Sequence, residues 1–590
     1  MILQRLAEYA ARMEAKGGFP PPMYGGMPIR WVIPLTIEGK PRGEPIPLGG
    51  DTKATKRGHV RVVPQVGRTS GVKANLLADN GEYVLGVSKE GSKKEKARQR
   101  HEAFAELVRE CARSTEEPTV EAIAAFLDEW EPEHADEWIS EGFDPADNVT
   151  FEVAGTIPAV ELESVQKFWA GSTLSDDSPH LTCLVTGESG PVERRLPVKV
   201  KGLTQVGGQS SGTSLVSANA SAFQSYGLEN SLTSPISRDA AERFGKSLNH
   251  LLAERDSHIY IGGTLAYVWW AKEGGGTSLR IVSEPDDDPE SVYRLMDSAR
   301  TGTARHGSEA EKFFCLALSA SGGRAVVRDW LETTIPEVEV NLGRWFRGQN
   351  IVDAYGDDMA PFGVFRLAAA AYRDVMKEMQ PSIPAAMVRV ALNGGRLPED
   401  LLARAVRRCV VGTNFPNSET TEHVTRERAA LIKLIFTTQG RLKMEDMKTL
   451  EPTPSLEGAD MAAYSCGRLL AELEQIQREA LGRGINTTLV DRYYGAASTT
   501  PGKVFGLLIA NSQDHLSKIR KSRGGTYEAL QRKLEEIMAP LTRYPNSLDV
   551  GQQGLFALGY YHQRAENRAA ARAAKEAKDE AKKQNDGEEN

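Results

Sequence analysis

The stretch Met461-Ala-Ala-Tyr-Ser-Cys-Gly-Arg-Leu-Leu470-Ala-Glu-Leu-Glu-Gln-Ile-Gln-Arg-Glu-Ala-Leu481 decides how the C-terminal part of the chain is read, and with it the fold class. Leu469, Leu470, Leu473, Ile476 and Ala480 recur at the spacing of a single helix face. Residues 502–522 repeat the pattern with Phe505, Leu508, Ile509, Leu516 and Ile519, and 526–541 with Tyr527, Leu530, Leu534, Ile537, Met538 and Leu541. A fourth segment starts near Ser547 and carries Leu555, Phe556 and Tyr560. Helices with one apolar face, joined by short turns, bury each other most simply as a bundle. From about residue 565 the chain is Ala, Lys, Arg and Glu without an apolar face, which reads as a solvated helix or as disorder.

Working outward toward the N-terminus, the character changes. Residues 286–455 read as mostly helical, with few strand signals. Before them, Arg30-Trp-Val-Ile-Pro-Leu-Thr-Ile, Glu44-Pro-Ile-Pro-Leu, His59-Val-Arg-Val-Val, Thr182-Cys-Leu-Val-Thr, Val198-Lys-Val, Ile259-Tyr-Ile and Thr264-Leu-Ala-Tyr-Val-Trp-Trp-Ala read as short strands. Helices are expected at 2–16, 93–112, 119–130 and 239–253. The expectation is an α+β chain: a mixed α/β region over 1–285, a mostly helical middle over 286–455, and a C-terminal four-helix-type bundle with a polar tail over 456–590.

The five cysteines, Cys111, Cys183, Cys315, Cys409 and Cys466, stand at least 57 residues apart, so no CxxC motif exists. They read as reduced thiols of a cytoplasmic protein, and neither a metal nor a cofactor is expected. No stretch approaches a membrane span, and the charged, amphipathic start does not resemble a signal peptide. The net charge of −8 argues against nucleic acid, but its distribution argues the other way. Residues 51–100 hold twelve Lys/Arg against five Asp/Glu, whereas residues 114–163 hold fifteen Asp/Glu and no Lys/Arg. Such segregation can leave a basic face on an acidic protein.

Enzymatic motifs are sparse. No histidine precedes an aspartate, and neither a phosphate loop nor HExxH is present. Gly208-Gln-Ser210-Ser-Gly212 fits GxSxG, but a nucleophile elbow needs an apolar strand running into it, and Lys201-Gly-Leu-Thr-Gln-Val-Gly is loop-like. The same stretch suits nucleic acid better. Gln205, Gln209, Ser210 and Ser211 lie in a Gly-rich loop entered through Lys199 and Lys201, with Arg194 and Arg195 upstream. Glycines let backbone N–H groups approach phosphates, and Gln, Ser and Asn can contact base edges. Arg68, Ser70, Lys73 and Asn75 form a second loop of the same chemistry, and Lys518, Arg520, Lys521 and Arg523 would suit a displaced single strand. Ordinary surface loops and a solvated helix end are the competing readings.

Blocks of sequence spread along the chain carry a further signal: Ser70-Gly-Val-Lys-Ala-Asn75-Leu-Leu-Ala-Asp79-Asn80, Cys183-Leu-Val-Thr-Gly-Glu188, Gln209-Ser-Ser-Gly-Thr-Ser-Leu-Val-Ser-Ala-Asn219-Ala-Ser-Ala-Phe223-Gln-Ser-Tyr226-Gly227, Asp491-Arg-Tyr-Tyr494 and Gln553-Gly-Leu-Phe-Ala-Leu-Gly-Tyr-Tyr561-His-Gln563. Together they resemble the large subunit of the type I-C CRISPR interference complex. The resemblance implies a non-catalytic partner of CRISPR RNA, of repeated backbone subunits, of a subunit holding the RNA 5′ end and of small helical subunits. It implies contact with the protospacer-adjacent motif of target double-stranded DNA, promotion of R-loop formation, and recruitment of a separate helicase–nuclease. It also implies that small subunits can arise by internal translation, for which Met461 is the candidate start, giving residues 461–590. The alternatives are a helical scaffold that binds only proteins and a serine hydrolase at Ser210.

Overall fold

The computed structural model describes residues 1–21, 23–49, 57–66, 71–88, 94–139, 142–172, 179–196, 198–273, 278–301, 311–414, 421–443, 448–450, 456–482 and 487–588. Two units emerge. The first holds Met1–Lys201, Ser210–His250 and Gly323–Ala325, and the second holds Gly202–Gln209, Leu251–Gly322 and Val326–Asn590. The chain is α+β, with small sheets in its N-terminal part and a helical middle and C-terminus.

The first unit is built on a four-stranded mixed sheet in the order Ile46–Pro47, Trp31–Leu35, Asn148–Val153, Ala78–Asn80. Its central pair is parallel, with Ile33 opposite Phe151. A parallel pair needs a long crossover, and the chain between these strands includes the helices Lys94–Thr115 and Pro118–Glu129 that cover the sheet. Phe104 and Val108 from one helix and Ile123 and Phe126 from the other share a buried core with Ile33, Leu35 and Phe151. The Phe104 and Phe126 rings lie 6.3 and 6.0 Å from that of Phe151. A separate antiparallel ribbon pairs Tyr24–Ile29 with His59–Pro64. The N-terminal helix Ile2–Ala15 buries Leu6, Tyr9 and Ala10, and the Leu6 carbonyl accepts a hydrogen bond from Ser247 Oγ (2.7 Å) on the helix Arg238–Ala253.

The charge segregation is partly neutralised inside this unit. Arg109 meets Asp128 at 2.6 Å, Arg113 meets Glu106 at 2.7 Å, and Arg100 pairs with Glu82 and Lys40 with Glu129. The arginines Arg98, Arg100, Arg109 and Arg113 of the Lys94–Thr115 helix therefore face carboxylates.

The second unit opens on an antiparallel sheet in the order Arg324–Thr334, Lys312–Ser321, Leu265–Ala271, His258–Ile261. Trp269 stands opposite Cys315. The two long strands after residue 311 correct the sequence expectation of few strands beyond 285. Lys312–Ser321 is buried at seven consecutive positions, so it lacks the alternation that marks a half-buried strand. The helix Pro289–Thr301 lies between the strands Leu265–Ala271 and Lys312–Ser321, and the helices Ile335–Gln349, Ser382–Asn393, Glu399–Val411 and Arg426–Thr438 follow the sheet.

The C-terminal helices are Gly458–Leu481, Leu489–Thr499, Pro501–Ser522, Gly524–Met538 and Val550–Glu588. Four carry the stripes read from sequence. Leu489–Thr499 is an additional short helix, begun by a capping box of Thr488 and Asp491. The polar tail is helical, and Arg572 Nη1 is 2.6 Å from Asp357 Oδ2. One buried cluster runs from Ile259 to Tyr561, so residues 286–455 and 456–590 share a core. Gly467 and Gly559 permit close approach of the first and last bundle helices. A Cβ at Gly467 would lie 2.0 Å from the Phe556 carbonyl oxygen, and one at Gly559 would lie 2.1 Å from that of Tyr464.

Candidate nucleic-acid interface

The residues singled out in the sequence fall at three places, with Gln205 and Gln209 on a separate segment of the second unit. The first is the loop before the edge strand Ala78–Asn80. Asp79 is 1% exposed, and its carboxylate accepts hydrogen bonds from the backbone N–H groups of Asn75 and Asn80, both at 2.8 Å. Asn75 is 5% exposed, and its Oδ1 accepts from the Val66 N–H at 2.8 Å. The Asn75 amide is thus turned into the protein, where it closes the loop back onto the end of the His59–Pro64 strand. Lys73 remains exposed, and its N–H donates to the Tyr83 hydroxyl at 3.3 Å. Arg68 and Ser70 lie outside the described residues.

The second place, also in the first unit, gathers Arg194, Arg195, Lys199, Lys201, Ser210 and Ser211, all exposed. Val200 and Thr213 exchange backbone hydrogen bonds of 2.7 and 2.8 Å, which sets the Ser210–Ser211 turn beside the two lysines. Gly212 makes this approach possible. Its φ is +95°, and a Cβ there would lie 2.9 Å from Lys199 Cβ. Asn249 fixes the lysine backbone from the other side. Its Oδ1 accepts from the Lys201 N–H at 2.7 Å, and its Nδ2 donates to the Lys199 carbonyl at 3.1 Å. Asn249 was not foreseen from sequence, because a polar residue on the rim of an amphipathic helix carries no signal of its partner. Arg194 is held through its carbonyl, which accepts from the Ser231 N–H at 3.0 Å.

Gln205 and Gln209 belong to the second unit. Gln205 sits in the short turn Thr204–Val206, and the Gln209 N–H donates to the Gly322 carbonyl at 3.2 Å, so this segment is fastened to the tip of the long hairpin. Both glutamine side chains are exposed. The segment around Ser210 does not form the strand–turn–helix of a nucleophile elbow. A single turn precedes it, and the next residues form isolated bridges instead of a helix.

The third place is the end of the helix Pro501–Ser522. Lys518, Arg520 and Lys521 are exposed there, where cations also complement the helix dipole. The Arg520 guanidinium lies 5.7 Å from the Tyr527 ring. Arg523 is engaged by Glu479, with Nη1 2.7 Å from Oε2, and it also donates to the Glu479 carbonyl. Of the neighbouring cations, Lys533 is held by Glu566 at 2.7 Å.

Among the described residues no cluster of His, Cys, Asp and Glu is arranged to hold a metal ion, and no helix is long and apolar enough to cross a membrane. All five cysteines are buried free thiols. Burial alone would push the Cys183 thiol up, but hydrogen bonds from Ser237 and Thr186 bring it down to about 7. Its Sγ accepts the Ser237 N–H at 3.3 Å, which secures the hairpin turn Cys183–Glu188 as a structural element.

A family model described as CRISPR-associated protein (Cas_Csd1) matches residues 6–567. No curated protein matches the chain.

Proposed function

Because the chain belongs to the Cas_Csd1 family of CRISPR-associated proteins, we propose that it is the non-catalytic large subunit of a type I-C interference complex. In this reading it recognises the protospacer-adjacent motif of target DNA and promotes strand opening and R-loop formation. It works beside a guide RNA, backbone subunits, a subunit holding the RNA 5′ end and small helical subunits, and it helps recruit a helicase–nuclease. Guide pairing supplies the sequence specificity, and exchanging DNA pairs for RNA–DNA pairs is nearly neutral, so a few protein contacts suffice to tip it.

The observation that carries the reading is the set of exposed cations Arg194, Arg195, Lys199 and Lys201, whose backbone is paired through Val200 with the Ser210–Thr213 turn and buttressed by Asn249. Cations on a fixed backbone beside small polar residues suit phosphate contact combined with close approach to a duplex. Removing the charges of Arg194, Arg195, Lys199 and Lys201 in the assembled complex is expected to weaken binding to all duplexes alike. It should also flatten the dependence of log K on log salt by about 0.9 per lost phosphate contact. An unchanged slope assigns these residues to protein or solvent. Motif recognition itself is tested with a duplex library randomised beside the target, and loss of any preference would sink it.

The internal start at Met461 belongs to the same proposal. Met461 lies in the helix Gly458–Leu481, one turn from its beginning. A product of residues 461–590 would keep the helices that carry the four stripes. It would also uncover Tyr494, stacked 4.5 Å from His423 in the full chain, and Gly554, which abuts Phe436. Intact mass of small proteins copurifying with the complex, before and after Met461→Leu, tests it. A fragment that keeps its N-terminus after the substitution would refute this start.

A further inference from the structure

Residues 219–227 are nine consecutive exposed positions that nevertheless have defined geometry. Ser221–Phe223 forms one turn of 3₁₀ helix, and the Leu228 N–H closes a β-turn onto the Ser225 carbonyl at 2.9 Å. The central residues of that turn are Tyr226 and Gly227, with φ of +53° and +72°. Left-handed backbone at both central positions is the type I′ geometry, which favours Asn-Gly and disfavours a bulky side chain at the first position. Tyr226 occupies it with a ring that is 99% exposed, so no packing among the described residues offsets the strain. A disfavoured conformation that gains nothing inside the molecule points to a role outside it.

The surroundings indicate what the ring meets. Phe223, three residues earlier, is 45% exposed, and the Arg324 guanidinium lies 4.3 Å over its ring while donating to Asn219 Oδ1 at 2.7 Å. Arg324 is placed by main-chain pairing, since the Ser214 N–H donates to the Gly323 carbonyl and the Ala325 N–H to the Ser214 carbonyl. Through Thr213 the same backbone continues to Val200, between Lys199 and Lys201. Across 194–201, 210–231 and 323–325, five cations (Arg194, Arg195, Lys199, Lys201, Arg324) stand against one carboxylate, Glu229. The two residues between the aromatics are Gln224 and Ser225, and those just before are Ala220, Ser221 and Ala222, so the loop itself offers small and polar side chains rather than the apolar centre of a protein interface. Isolated aromatics among small polar residues and cations are the composition of a surface that stacks bases and follows a phosphate backbone.

We propose that Phe223 and Tyr226 form a stacking site for an unpaired nucleobase of single-stranded DNA, with Arg324 fixing the Phe223 face. The inference deepens the function proposed above by assigning a contact to a strand already separated. The test uses the full-length chain and a short single-stranded oligothymidine carrying one fluorescent aminopurine. Binding to the wild type is expected to quench the aminopurine. Tyr226→Leu and Phe223→Leu should each weaken binding by about fivefold to about 150-fold, while Tyr226→Trp retains the quenching. Tyr226→Gly relieves the left-handed strain, so it should bind weakly while melting no lower than wild type. An oligonucleotide that does not bind, emission unchanged at saturation, or affinity for Tyr226→Leu within twofold of wild type each overturns the proposal. If Tyr226→Leu instead releases the chain from its complex without changing oligonucleotide affinity, the ring faces protein and the proposal fails. Lost motif preference on duplexes with quenching intact would sink only the wider functional reading.

Discussion

Adding one methyl group at Gly467 or Gly559 should loosen the centre of the C-terminal bundle. A Cβ at either position would sit about 2 Å from a carbonyl oxygen of the facing helix, where side chains essentially never come closer than 3.0 Å. The obstruction is backbone, not a flexible side chain that could turn away. The helices must therefore separate by roughly 1 Å, a gap that forfeits about a quarter to a half of each dispersion contact across it. Tyr464, Phe556 and Tyr560 lie at this crossing and are fully buried. Overpacking of this kind costs about 3 kcal/mol. Ala gains about 1 kcal/mol over Gly in helix propensity. Packing wins, leaving a net loss of about 2 kcal/mol per substitution. Hydrogen exchange of peptides from Gly458–Leu481 and from the start of Val550–Glu588 reads the effect as roughly 30-fold faster exchange when local opening is at equilibrium. Gly506→Ala is the control: this helical position has open space around its Cβ, so only the propensity gain should appear. Unchanged protection in both Gly467→Ala and Gly559→Ala would refute the close approach.

Two neighbouring glutamates should respond oppositely to neutralisation. Burial would raise the Glu474 carboxyl, but Arg564 and Arg478 outweigh it and hold it below the ordinary carboxylate range, and Tyr560 donates to it at 2.9 Å. Its contribution is therefore complete above the ordinary carboxylate value and lost as pH falls through the lowered one. Glu474→Gln should cost about 3 kcal/mol at neutral pH, read by urea denaturation followed through tyrosine fluorescence. Burial holds the Glu472 carboxyl above its ordinary range despite the hydrogen bond from Asn567, so Glu472→Gln should be neutral or stabilising at pH 7; a loss comparable to that of Glu474→Gln would contradict this. Asn75→Ala should expose the Val66 amide to exchange and destabilise its loop by about 1–3 kcal/mol. A residue that only reads bases would leave that amide protected.

What could be read from sequence followed burial pattern. The helices 502–522 and 526–541 announced themselves because each buries one stripe and wets the other, and 461–481 because its leucines keep helical spacing although Ala463–Glu474 is buried nearly all round. The strand Lys312–Ser321 was hidden because both of its faces are covered, which removes the period of two. Leu489–Thr499 was passed over because its apolar face is short, resting on Val490, Tyr494 and Ala497. At the candidate interface, composition pointed to a cationic segment but not to the direction of its side chains. Asn75 looks like an exposed polar loop residue until Val66 and Asp79 are seen to claim it. Arg324 could not be associated with Phe223 from sequence, since about a hundred residues separate them and only the pairing of Ser214 with Gly323 and Ala325 brings them together.

The core that runs from Ile259 to Tyr561 also imposes a schedule on synthesis. Roughly 300 residues separate its ends, which at about 5–20 residues per second takes roughly 15–60 s to translate. During that interval the buried strands Leu265–Ala271 and Lys312–Ser321 have left the ribosome while the helix that completes their cluster has not been made. The first unit waits too, for a shorter time, because its Ser214 backbone partners arrive only with Gly323–Ala325. The nascent chain thus carries a long-lived apolar surface, and its yield in the cell depends on whatever shields that surface until the last helix emerges.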